Sequence, residues 1–382
     1  MNKKFIIVLL TFLFSLNLHS QENIDFALPI LNINPNARLG GIADIGVVSS
    51  VFYKDAGLFQ NPAILSSNSI YTGSNIFLKN IKDNTANDAY FSGWSGYYAT
   101  DSFNTVGFNF SYLNYENIFI LKDSNELDSE YEPYEMFFQL TFAHSFNKTI
   151  SAGLGIKYLR GNFAFASIEN IINSYAVDFG CSYHKSYNLS DYSELNTSAG
   201  LAITNLGPRL ENDENQKKFI PIKLLLGLFI NPDIYVSRLF KLNIELYYQA
   251  EKYLIPSTPI YNTEGGIVDG KNPDISAFNA LYQSFYDSPE GFSGEIDEIR
   301  HKFGSEFRLN YLNKSFIAIR HGRIFEMKTF GGENYQTYGC GLGFRGFMID
   351  YSYIYSDNEL LNKNWALTLG AKYNLDGDFF RF

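Results

Sequence analysis

From residue 69 onward the chain alternates apolar positions with small or polar ones, in runs of about ten residues. The clearest run is Thr149 to Tyr158. Ile150, Ala152, Leu154, Ile156 and Tyr158 fall on one face of an extended strand, and Ser151, Gly153, Gly155 and Lys157 on the other. Two more segments repeat it: Val106, Phe108, Phe110 and Tyr112, and Phe240, Leu242, Ile244, Leu246 and Tyr248. The second face carries glycine where a solvated sheet would carry charge, so it reads as the lining of a barrel and the apolar face as its lipid wall. About ten residues of dyad alternation is the length a tilted strand needs to cross a bilayer.

Fourteen candidate strands follow, at 69–79, 88–98, 103–114, 134–145, 149–161, 172–185, 194–205, 219–230, 238–249, 300–311, 314–323, 335–345, 346–355 and 364–374. The expected fold is all-β, a 14-stranded antiparallel transmembrane β-barrel over 68–382. Connections at one end are short: 99–102, 146–148, 231–237 and 312–313. At the other end they are long: 115–133, 206–218, 250–299 and 323–334. Such sorting places the short links in the periplasm and 250–299 outside the cell.

Before the alternation, residues 21–67 hold Pro29, Pro35, Pro62 and the pair Gly40-Gly41, which predicts a plug of turns and short helix at one end of the barrel. Residues 1–20 have Lys3 and Lys4, then an apolar run from Phe5 to Leu16, the layout of a secretory signal peptide.

Composition sharpens the picture at three points. Aromatics are 17% of the 382 residues, which suits strands and interfacial girdles. A net charge of -10 offers no basic stripe for phosphates, so a nucleic-acid partner is excluded. The two cysteines, Cys181 and Cys340, are too few for a disulfide framework and make no metal spacing with the scattered histidines. His144, His184, His301 and His321 are assigned structural or lumenal roles.

No catalytic constellation, cofactor site or metal site is expected. Gly339 to Gly346, GCGLGFRG, has a dinucleotide-like glycine spacing but lies in alternating strand with no helix after it, so small residues facing a crowded lumen explain it better. Glu295, Asp297 and Glu298 match no calcium loop and read as a solvated loop face. The 250–299 connection is too long for a bare link and should be ordered, with a short helix over 277–286. Its Tyr261, Phe278, Tyr282, Phe285 and Phe292 are the candidate partner-binding residues, because aromatic anchors dominate interfaces.

Several segments resemble one family. NINPNARLGGIADIG (Asn32 to Gly46) and QNPAIL (Gln60 to Leu65) resemble the amino-terminal signature of the PorV proteins. AITNLGPRL (Ala202 to Leu210) resembles its seventh-strand exit, and TPIYNTEGGIVDGKNPDIS with SFYDSPEGFSGEIDEI its long loop. These are outer-membrane barrels of the type IX secretion system in Bacteroidetes, with a fold similar to the fatty-acid transporter FadL. On this resemblance Arg38, Gly40, Gly41, Asp44, Asn61 and Pro62 form the plug turns. It implies a non-enzymatic protein of the bacterial outer membrane, in contact with its lipid, with three further partners: cargo bound through its carboxy-terminal signal domain, the large translocon barrel, and the sortase-like surface attachment complex. The alternative it allows is a FadL-like transporter of hydrophobic small molecules. The chain departs from the family at Gln60, where Trp is usual, and in its tail, Asp376 to Phe382.

Overall fold

The computed structural model describes residues 26–49, 53–66, 71–81, 89–115, 118–121, 127–165, 168–211, 217–312, 314–326, 334–358 and 361–374. The expected leader and the tail from Asp376 lie outside them.

Fourteen antiparallel strands close into a barrel. In chain order they are β1 (Tyr71–Ile81), β2 (Ala89–Ala99), β3 (Asn104–Asn114), β4 (Tyr134–Ser145), β5 (Ile150–Phe165), β6 (Ile168–Ser190) and β7 (Ser193–Leu206), then β8 (Lys223–Tyr235), β9 (Phe240–Tyr253), β10 (Arg300–Tyr311), β11 (Ser315–Phe325), β12 (Tyr335–Phe344), β13 (Phe347–Ser356) and β14 (Trp365–Asn374). Each pairs with its chain neighbour, and β1 closes on β14 from Tyr71↔Asn374 to Lys79↔Ala366. Closure removes the free edges that hydrocarbon could not satisfy. The side-chain period of two then sorts residues without exception on β5: Ser151, Gly155 and Lys157 are buried inside, and Leu154 and Ile156 are exposed outside.

Differences from the sequence reading lie at strand ends. β6 is 23 residues long rather than the expected 172–185, because it pairs with β5 up to Ile168↔Phe165 and with β7 down to Ser190↔Ser193. β8 starts at Lys223 and not at 219, since Pro221 has no N–H for a ladder. It then passes through Asn231-Pro232, expected to be a link; pairing to β9 skips these two, from Ile230↔Leu246 to Asp233↔Asn243, while pairing to β7 continues. The β12–β13 connection is a two-residue turn in which Arg345 (φ 49°) and Gly346 (φ 89°) are both left-handed, as a tight hairpin matching the strand twist requires.

Residues 26–49 and 53–66 lie inside the barrel and touch its wall around the circumference. The N–H of Ala37 donates to Thr368 Oγ1 on β14 (2.8 Å) and that of Ala43 to Thr337 Oγ1 on β12 (3.0 Å). Gly46 and Val47 both donate to Gln249 Oε1 on β9, and Ser151 Oγ on β5 donates to the Ala63 carbonyl (3.0 Å). Wall glycines let this backbone approach: a Cβ on Gly153 would stand 2.4 Å from the carbonyl carbon of Pro62, and one on Gly200 2.1 Å from Val47 O. Gly339 of GCGLGFRG likewise faces Gly41, where an added Cβ would stand 3.0 Å from the Gly41 Cα.

The two faces of β5 give a first expected result. Leu154→Arg places a charge on the lipid wall and should cost about 2–4 kcal/mol near the midplane. Gly153→Ala drives a methyl into plug backbone and should cost about 1–3 kcal/mol, as overpacking does. Urea titration of the refolded variants in detergent checks both, and an Ala at 153 that is neutral would mean that the plug yields there.

Candidate functional site

The six plug-turn residues fall in two places. Asn36 caps a short helix, α1 (Ala37–Gly40), accepting from the N–H groups of Arg38 (3.0 Å) and Leu39 (3.2 Å). The cap turns Arg38 toward the wall. Its guanidinium pairs with Glu245 on β9 (3.0 Å) and Glu306 on β10 (3.2 Å), donates to Tyr247 Oη (2.8 Å), and lies 3.4 Å over the Tyr53 ring. Arg308 binds Glu245 (2.8 Å), Arg320 binds Glu306 (2.5 Å), and Arg320 also meets Asp350 (2.7 Å). Gly40 is packed so closely that a Cβ would stand 2.6 Å from Ser352 Oγ, and Asp44 (φ 54°) ends the turn after Gly41. Asn61 accepts from Ala63 N–H (3.1 Å) and donates to the carbonyls of Val47 (2.8 Å) and Cys181 (3.1 Å), while Pro62 opens the turn Pro62–Leu65.

Gln60 also has its place. Its amide accepts from Gly46 N–H (3.0 Å) and donates to Asp44 O (2.7 Å), clipping the plug turn, and Phe59 supplies the aromatic contact, 5.5 Å from the Phe77 ring.

Burial opposes the charge of Arg38, but Glu306, Tyr247 and Glu245 outweigh it and hold the guanidinium protonated well above its ordinary range. Burial pushes the Tyr53 hydroxyl up to about 12. Lys54 is brought down to about 7, first by burial and then by Lys372. A cavity of about 40 Å³ beside Gln139, Lys157, Asn205 and Glu251 has room for a few waters and no more.

Strand alternation on β5 and β9 turns Lys157, Lys241 and Glu245 inward, where Lys157 pairs with Asp178 (2.8 Å) and Lys241 with Asp233 (2.6 Å), but the sequence does not show how such inward charges group. Nor does it show that Glu306, Arg308, Arg320 and Asp350 gather around Arg38. Their parity on the strands was visible; which strands the plug joins was not. His144, His301 and His321 stand on the outer face beside Asn104, Tyr248 and Tyr338, and the cysteines are free and exposed there. Among the described residues no group of three or more His, Cys, Asp or Glu is placed to hold a metal.

The long connection between β9 and β10 is ordered. It contains the two-stranded pair Ile260–Tyr261 with Ile267–Asp269 and two helices, α2 (Ala277–Gln283) and α3 (Gly291–Asp297). Ser276 caps α2 through Asn279 N–H (3.2 Å). The helix stops three residues short of the expected end, and its side chains split: Ala277 and Leu281 pack onto the apolar cluster of Leu28 and Leu254 and Ala280 is buried, while Phe278, Tyr282 and Phe285 point out. Phe278 is 65% exposed and Phe292, on α3, 80%; Tyr261 is also exposed.

Under this crest sits a buried charge cluster, which corrects the solvated-face reading of Glu295 and Glu298. Lys252, at the end of β9, binds Glu295 (3.0 Å) and Glu298 (2.5 Å). Glu295 also accepts from the N–H groups of Asp287 (2.7 Å) and Ser288 (2.9 Å), and Ser257 Oγ donates to Asp287 (3.0 Å) and to Glu298. Only Asp297 of the three acids keeps appreciable exposure. Spacing could not reveal this, because Lys252 lies outside the acidic run.

Burial, partly offset by hydrogen bonds from Ser257, raises the Asp287 carboxyl, and burial raises that of Glu298 against Lys252 and Ser257. A carboxyl raised on folding binds its proton more tightly in the folded loop, so this contribution is present at acid pH and lost as pH rises through the raised values. Amides of 277–297 should therefore be more protected from hydrogen exchange at pH 5 than at pH 7.5, after correction for intrinsic rates. Greater protection at pH 7.5 would show that the ion pairs of Lys252 dominate instead.

A closed fourteen-stranded barrel with an apolar outer wall, short turns at one end and long loops at the other is an integral protein of the bacterial outer membrane. Residues 17–260 match the type IX secretion system protein PorV, and the chain belongs to that family. Among solved structures it is similar to a Pseudomonas aeruginosa FadL homologue (10% identity, TM-score 0.41, 89% of this chain and 98% of that one) and to the CymD monoaromatic hydrocarbon channel (10%, 0.43, 93% and 99%). It is also similar to CdiB from Acinetobacter baumannii (8%, 0.42, 79% of this chain), of which it spans 60%. No curated protein matches it in sequence.

Proposed function

We propose that this protein binds secreted cargo through the cargo's carboxy-terminal signal domain, associates with the large translocon barrel and hands cargo to the sortase-like surface attachment complex. The observation that carries the reading is the aromatic crest of Phe278, Tyr282, Phe285 and Phe292, held outward on a loop whose base is fixed by the Lys252 cluster. Exposed rings on a fixed base lose little entropy on binding and offer the anchors that dominate interfaces. Tyr261, on the adjoining hairpin, extends the surface. Pro259, Pro273 and Pro289 stiffen the same loop.

Weighing against a route for hydrophobic solutes is the lumen itself, crossed by the plug and by the charged side chains around Arg38. An apolar solute would have to displace paired, desolvated charge. Replacing the four crest aromatics by serine tests the proposal: cargo should remain in the periplasm while the barrel stays folded in the outer membrane.

A further inference from the structure

At the periplasmic end three turns lie side by side: 236–239, the one that carries Leu312 and Lys314, and 345–346. Leu312 N–H donates to Leu239 O (2.8 Å) and Arg345 N–H to Lys314 O (2.7 Å), which ties them together. Each carries one exposed cation, Arg238, Lys314 and Arg345, and no Asp or Glu occurs in 236–240, 311–315 or 344–347. Of the other turns at this end, two carry Asp101 and Asp191 and 146–148 carries the single cation Lys148, so three cations on adjoining turns set this sector of the rim apart.

Directly above, the outer wall is hollowed. Strand register sets Phe240, Tyr311, Ser315, Phe344 and Phe347 in one row across β9 to β13. Four are aromatic and the fifth, Ser315, is small, leaving a notch between Tyr311 and Phe344. The notch opens into a groove of about 520 Å³ whose next row is Leu309, Ile317, Leu342 and Ile349. Arg345 leans over the Phe344 ring (5.3 Å), which brings its charge to the groove mouth.

An apolar groove on the membrane wall beneath three unopposed cations at the interface matches one kind of molecule. We propose that it is a binding site for one anionic phospholipid of the periplasmic leaflet, with the phosphate between Arg238, Lys314 and Arg345 and an acyl chain over Ser315. Clustered basic residues at a membrane surface select anionic headgroups, and the groove adds the depth that a flat barrel wall lacks.

The test is native mass spectrometry of the full barrel, delipidated and then exposed to equal amounts of phosphatidylglycerol and phosphatidylcholine. Wild type should keep one phosphatidylglycerol in preference to phosphatidylcholine. R238Q/K314Q/R345Q should lose that preference, by about fivefold per cation removed. Ser315→Phe, which fills the notch, should lower retention of either lipid with the cations intact. All four substitutions lie at exposed or outward positions, and unchanged heat-modifiable mobility on a gel confirms folding. Equal retention of the two lipids by wild type, no retained lipid, or undiminished preference in the triple variant would each overturn the site.

Discussion

Arg38→Met should lower the stability of the barrel by about 3–5 kcal/mol, the loss expected when one partner of a buried ion cluster is removed. The substitution keeps most of the side-chain volume and removes the charge. Glu245 and Glu306 lose a cation held at 3.0 and 3.2 Å, in a place where both carboxylates are fully buried. Arg308 and Arg320 still serve them, so the cluster does not collapse to bare carboxylates. What is lost in addition is the plug's charged tether to β9 and β10. Two readouts separate these effects. Urea titration of the refolded barrel gives the stability, and protease nicking within residues 26–66 reports whether the plug has come loose from a barrel that remains closed. Pairing Arg38→Met with Glu245→Gln removes one uncompensated charge and should recover part of the loss. If Arg38→Met alone is neutral in both assays, the cluster is held by β9, β10, β11 and β13 among themselves and the plug is a passenger.

That cluster also marks the boundary of what the sequence makes legible. Strand number, wall polarity and the long and short ends follow from alternation alone, because a closed barrel leaves each side chain only two directions. β5 shows this in full: five outward and four inward positions are read from nine letters. The ends of β6 and β8 were not readable, because they depend on how far a neighbour continues to pair. Pro232 illustrates the point: a proline reads as a break, yet β8 runs through it by skipping pairs on one side only. Within the plug, Asn36 and Asn61 announce their turns by residue type, whereas the meeting of Arg38 with Glu245 and Glu306 depends on the position of α1 in the lumen. Gln60 is a similar case. A departure from the family pattern looks like the loss of an anchor, and the structure makes it a polar clip on Gly46 and Asp44.

The long β9–β10 loop was legible as an ordered element, and its acids were misread as a solvated face. Its acids fold beneath it and its aromatics remain above, which changes how its function should be tested. Deleting 254–299 would uncover Leu28, take Leu254 out of the same buried cluster and strip Lys252 of both its carboxylates, so a secretion defect would not separate a lost contact from a damaged barrel. Four substitutions avoid this: Phe278→Ser, Tyr282→Ser, Phe285→Ser and Phe292→Ser, all at exposed positions that leave Ala280, Leu281, Glu295 and Glu298 in place. Losing exposed rings should change the stability of the barrel by less than about 0.5 kcal/mol each. If two of the four act as anchors at about 2 kcal/mol apiece, cargo affinity falls by roughly a thousandfold. Cells carrying the quadruple variant should then accumulate cargo in the periplasm while heat-modifiable mobility and outer-membrane fractionation of the barrel stay normal. Restoring Phe278 and Phe292, the most exposed pair at 65% and 80%, should return most of the secretion. Normal secretion by the quadruple variant would remove the crest from the cargo pathway and leave recognition to another part of the outer surface.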